Sequence, residues 1–190
     1  MNFRKRMATI CLISLWFCST HSTAQPASTL DALESASVRA LVWFKSLAAP
    51  IGEIVAAEKR TQLLEALSDL SKDLYAIEQD KQVFVQLLKR EKMDQQAIVT
   101  RTEKLMTSID NARASLARVG PLLRQQHRIG GVQVETLLSN AAIDRKMWVS
   151  DLYGAPADPI KRQKTIAEGE RALKALHDAN VELSVLITKL

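Results

Sequence analysis

Between Leu63 and Val119 the chain repeats in alternating steps of four and three residues: Leu63, Leu67, Leu70, Leu74, Ile77, Lys81, Phe84, Leu88, Glu91, Gln95, Ile98, Thr102, Leu105, Ile109, Ala112, Leu116 and Val119. Thirteen of these seventeen positions are apolar. A spacing near 3.5 residues, held over that length, is what helices need to pack along a narrow seam. It excludes strands, which require a period of two. The chain also lacks the Asn-Gly and Asp-Gly dipeptides of tight hairpins. The expected fold is all-α, an elongated antiparallel helical bundle with coiled-coil-like heptad seams.

The repeat crosses residues 89–96 (KREKMDQQ), which are polar except for Met93. Two arrangements satisfy it. One is the turn of a helical hairpin. The other is a single helix from about residue 53 to residue 119, which at ~1.5 Å per residue is roughly 100 Å long. The segment has no Gly, Pro, Ser or Asn and consists of good helix formers. The seam phase also runs through it unbroken, so the continuous helix is the expectation and the hairpin the alternative.

Breakers divide the rest of the chain at Pro50-Ile51-Gly52, Gly120-Pro121, Gly130-Gly131 and residues 154–159 (GAPADP). A first helix begins near Ser28 and carries Leu30, Leu33, Val38, Leu41 and Val42 on one side, with Trp43 and Phe44 before the stop at Pro50. A short helical piece follows Gly120-Pro121 and ends at Gly130-Gly131. Another helix, from about Val132 to Leu152, turns Val134, Leu137, Leu138, Ala141 and Met147 inward. Asp158-Pro159 pairs a capping residue with a proline at the first helical position. The last helix has its seam at Ile166, Gly169, Leu173, Leu176, Asn180, Leu183, Ile187 and Leu190.

The N-terminal segment predicts export. Arg4, Lys5 and Arg6 precede an apolar run over residues 7–17, and Ser22-Thr23-Ala24 supplies the small residues of a cleavage site. The run of eleven residues is well short of the roughly 20 of a spanning helix. The bulky Phe17 before Cys18 argues against lipidation at that cysteine. Residues 1–24 are thus expected to be a cleaved signal peptide and residues 25–190 a single helical domain, periplasmic or secreted. Cleavage would remove Cys11, Cys18, His21 and Trp16, and the balance of charge would fall from +5 to 23 basic against 21 acidic residues. A nucleic-acid role founded on overall basicity then loses its basis.

Catalytic and metal signatures are missing from the sequence. Arg124 and Lys174 stand three residues before His127 and His177, where a carboxylate-bridged di-iron bundle requires Glu. There is no His-Glu-x-x-His and no Gly-x-Ser-x-Gly. Haem ligation by His177 with Met93, Met106 or Met147 competes with the ordinary use of methionine as core filler. The acidic pairs Asp69/Asp73 and Glu168/Glu170 lie beside Lys or Arg and are expected on solvated faces as ion pairs. No enzyme and no cofactor is expected.

One charge feature stands out. No acidic residue lies between Asp110 and Glu135, whereas Arg113, Arg118, Arg124 and Arg128 do. The expected partner-binding residues are Arg118, Arg124 and Arg128, as a basic tip around Gly120-Pro121, and the aromatics Trp43 and Trp148. Lys161, Arg162 and Lys164 would join the tip if the helix ends meet. The expected function is an exported cell-envelope protein acting by protein–protein contact. Its role would be structural or adaptor-like in a secretion or pilus-related assembly, or that of an immunity- or inhibitor-type binder. Self-association and peripheral contact with an anionic envelope surface are compatible with it, and a small-ligand or sensor bundle is the alternative. In layout the chain resembles helical minor-pilus components of type IV secretion systems and exported immunity proteins, a likeness that no motif carries.

Overall fold

The computed structural model describes residues 29–48, 50, 53–92, 94–152 and 159–190. The expected signal peptide, the helix start at Ser28 and most of the 154–159 turn lie outside the described residues, as do the side chains of Met147, Trp148 and Lys161.

The heptad seam folds back on itself. Helix α1 spans Thr29–Ala48, α2 Arg60–Lys89, α3 Gln95–Val119, α4 Arg128–Leu152 and α5 Pro159–Lys189. The continuous helix expected across residues 89–96 is therefore replaced by its alternative, the hairpin. Arg90 leaves the helix in an extended conformation, and Asp94 caps α3 by accepting a hydrogen bond from Ala97 N at 3.0 Å. The last carbonyls of α2 find their donor far along the chain: Arg162 Nε donates to Leu88 O at 2.6 Å, and its Nη2 to Arg90 O. A helix end buried without partners is unfavourable, and here a distant guanidinium satisfies it.

Fifteen of the seventeen seam residues are buried, and the two exposed ones, Glu91 and Gln95, sit at the turn. Both arms keep one phase because both face one core. Across the α2–α3 seam Asp69 pairs with Arg118 (3.2 Å), Asp73 accepts from Ser115 Oγ (2.5 Å), and Asp80 takes Ser108 (2.8 Å) and Arg101 (2.7 Å). These contacts run in strict antiparallel order and fix the register of the hairpin.

The other helices complete a ring. Helix α1 packs on α4 and α5, α2 on α3 and α5, and α3 on α4. Consecutive helices alternate in direction. A closed ring of five alternating helices must contain one parallel pair, and that pair is α1 and α5. Trp43 Nε1 near the end of α1 donates to His127 O at the start of α4 (3.0 Å), and Arg60 Nε at the start of α2 donates to Leu190 O (2.6 Å). The ends of α1, α3 and α5 therefore share one end of the bundle, called basal below. The α2–α3 turn and the start of α5 lie at the other end. Among the described residues no helix is long and apolar enough to cross a membrane.

Local corrections follow from packing. On α1, Val38 and Val42 are 48% and 54% exposed, and the buried stripe is Leu33, Ala36, Ala40, Phe44 and Leu47. Small alanines let α4 and α5 approach closely, so the inward face is set by shape and not by bulk. Gly130 and Gly131 do not end a helix; they lie in the first turn of α4. There the Trp43 ring fills the space a side chain would take: a Cβ on Gly130 would stand 2.2 Å from Trp43 Cδ1. Gly169 plays the same part for α2 and α5, where an added Cβ would meet Val85 Cγ2 at 2.6 Å. The short piece after Gly120-Pro121 is two 3-10 turns, Gly120–Leu122 and Gln125–His127.

Three seam residues are polar and buried: Lys81, Thr102 and Asn180. Lys81 places its Nζ 5.2 Å from the centre of the Phe84 ring, a cation–π arrangement. Thr102 Oγ1 returns its hydrogen bond to Ile98 O on its own helix.

Candidate functional site

Two surfaces bring together side chains that packing alone does not require. The first is a groove between α2 and α5, about 550 Å³ in volume, lined by Tyr75 and Glu78 from α2 and by His177, Asn180 and Val181 from α5, with Ser71, Lys72, Gln79 and Ser184 at its edges. Its floor is tied down. Asn180 Nδ2 donates to Glu78 Oε2 at 2.6 Å, and His177 Nδ1 faces Glu78 Oε1 at 3.1 Å. Asn180 is nine-tenths buried, and its Oδ1 has no hydrogen-bond partner. An unpaired buried acceptor costs stability, and Asn180 offsets part of that cost through its bond to Glu78. His177 stands at the bundle edge with its side chain 66% exposed.

The walls of this groove are open. Tyr75 is 58% exposed and Val181 51%. A small-molecule pocket buries some 70–90% of its ligand, and walls this exposed do not enclose one. The Glu78 carboxylate is already engaged by the Asn180 amide and faces the His177 ring. Among the described residues no three His, Cys, Asp or Glu side chains gather as metal ligands. The arrangement presents an aromatic ring and a valine over a rigid polar floor, which suits contact better than reaction.

The second surface is the basal turn. Arg118 is drawn off by Asp69 and also donates to Ser115 Oγ at 2.9 Å. Arg128 is consumed by the backbone, its Nε donating to Leu123 O at 2.8 Å and its Nη2 to Pro121 O at 3.2 Å. Arg113 pairs with Asp110 on its own helix. Arg124 is held through its backbone alone: its N–H donates to Ile54 O at 2.9 Å and its carbonyl accepts from His127 N at 2.9 Å. Among the described residues its exposed guanidinium has no partner. The expected tip thus reduces to one uncommitted arginine beside two committed ones. Arg162 and Lys164 do not join it. They lie at the far end of the bundle, about 45 Å away for a helix of α2's length at ~1.5 Å per residue.

Asp69 shows what these contacts do electrostatically. The Lys72 ammonium first, and Arg118 after it, hold its carboxyl below the usual aspartate range. A carboxyl with a lowered folded pKa favours the fold above its ordinary pKa, and that contribution disappears as pH falls through the lowered value.

Trp43 is 4% exposed and fills the α1–α4 interface, so it offers a partner no surface. Of the acidic pairs, Asp69 pairs with Lys72 and Arg118 and Glu170 with Lys89 at 2.6 Å, as surface ion pairing requires, whereas Asp73 accepts from Ser115 Oγ, and Glu168, with Lys164 Nζ 3.8 Å away, is 5% exposed and not on a solvated face. Sequence reasoning passed over Tyr75, Glu78 and Val181 because they lie off the heptad seam, and passed over Ile129 and Val132 at the basal turn. The one legible signal was that two of its lining residues, His177 and Asn180, lie one turn apart on one face of α5.

No protein-family description, characterised protein or solved structure matches this chain.

Proposed function

We propose that this is an exported helical protein of the cell envelope that acts by protein–protein contact, as a structural or adaptor component or as a binder that blocks its partner. The observation that carries this reading is the α2–α5 groove, where Tyr75 and Val181 stand more than half exposed above a floor pinned by Asn180 and His177. Exposed aromatics on rigid supports are the residues that carry binding energy at protein interfaces. The absence of motif chemistry in the sequence supports the same reading. The small-ligand alternative is weaker because the groove walls are open.

Export is tested by the mass of the protein recovered from the periplasm, which should correspond to a chain beginning at Gln25. The contact is tested by retention of envelope proteins on the purified protein compared with its Tyr75→Ala and Val181→Glu variants. The expected result is a retained protein lost by at least ten-fold in both variants, with their helical circular dichroism unchanged. Equal retention by all three forms would overturn the groove as the contact surface.

A further inference from the structure

The basal turn combines exposed apolar side chains with a basic side chain that has no partner among the described residues. Ile129 and Val132, on the outer side of the first turn of α4, are 66% and 61% exposed. Beside them project the uncommitted Arg124 and the exposed Arg128. Of the acidic residues near this end, Glu53 and Glu58 sit on the α1–α2 connection with Lys59 and Arg60 next to them, Glu135 is half-buried on α4 one turn above Val132, and Asp69 is occupied by Lys72 and Arg118. The excess charge of this end is positive.

The apolar character is confined to one turn. Continuing up the same face of α4, the next positions are Thr136 and Asn140, both polar. A helix docking along α4 would need the apolar stripe to persist at i+7 and i+11, and it stops. A standard protein interface needs some 20–30 residues a side, far more than this tip presents. A bilayer surface asks for less: a few apolar side chains at the acyl boundary and basic groups at the phosphates.

We infer that the basal end, through Arg124, Ile129 and Val132, seats the bundle reversibly on an anionic phospholipid surface. The turn is preorganised for this. Arg128 ties together the carbonyls of Pro121 and Leu123, and Trp43 holds the start of α4 through His127 O, so the backbone that carries the exposed side chains is already ordered. The groove between α2 and α5 is not part of this contact and remains open to a protein partner, so the two proposals stand or fall separately.

The test is co-sedimentation of the purified protein with vesicles of 30% phosphatidylglycerol in phosphatidylcholine, against pure phosphatidylcholine. All variants share one N-terminus, so a difference among them belongs to the turn. Binding to the anionic vesicles alone is expected. Arg124→Glu should weaken it roughly 25-fold, since each unit of charge near the surface is worth about five-fold, and Ile129→Ser with Val132→Ser should weaken it at least ten-fold. Tyr75→Ala, in the groove, should bind as the parent does. Binding unchanged in both tip variants would overturn the inference, as would equal binding to uncharged vesicles or none to either. Circular dichroism of each variant separates loss of the tip from loss of the fold.

Discussion

At the scale of single residues, most of what distinguishes this chain is the reassignment of charged and aromatic side chains to structural tasks. Arg60, Arg128 and Arg162 each donate to backbone carbonyls at a chain turn or helix end, where cations favourably meet unsatisfied oxygens. Trp43 is a packing residue whose ring demands glycine opposite it. Gly130→Ala tests that demand with a sign. Helix propensity alone predicts a gain of up to ~1 kcal/mol, whereas a Cβ standing 2.2 Å from the indole predicts a loss of about 1–3 kcal/mol from overpacking. Urea denaturation should show the loss, and it should vanish or reverse in a Trp43→Leu background. The sequence displayed both partners, a Gly-Gly pair and a tryptophan, but 87 positions separate Trp43 from Gly130 and nothing local couples them. A glycine pair read by itself is a helix stop.

At the scale of elements, the heptad repeat located the buried faces of α2 and α3 almost to the residue, including its polar members Lys81 and Thr102. It did not locate the turn. A seam phase measures which way side chains face, and two antiparallel arms facing one core keep that phase through any turn of suitable length. What decides between rod and hairpin is the capping at Asp94 and the donation by Arg162 to Leu88 O, 74 positions away. Asp94→Ala separates the two arrangements. In a continuous helix it would stabilise, because Ala is the better helix former. At the start of α3 it should cost about 1 kcal/mol through loss of the cap, read as a lowered midpoint in thermal or urea unfolding with the m-value unchanged. On α1 the failure was of another kind: hydrophobic bulk pointed to Val38 and Val42, while close approach selected the alanine face.

At the scale of the whole molecule, the five described α-helices close a ring with two ends and a lateral groove between α2 and α5. The parallel α1–α5 pair is the geometric consequence of closing an odd number of alternating helices. The all-α class and the bundle packing could be read directly from the sequence. The groove could not, because its members come from two helices about 100 positions apart and share no spacing rule. The basal arginines could be read as a charge run, but only the folded chain separates the committed Arg118 and Arg128 from Arg124, whose guanidinium has no partner among the described residues.

The central claim is that the protein works by contact through the α2–α5 groove. The direct measurement places a photo-crosslinking amino acid at position 75 in the chain expressed in its own cells, with the exposed α3 position 103 as the control. Contact through the groove predicts a discrete crosslinked protein from position 75 that is absent from position 103 and lost on Val181→Glu. The same crosslink pattern from both positions, or none from position 75, would contradict it.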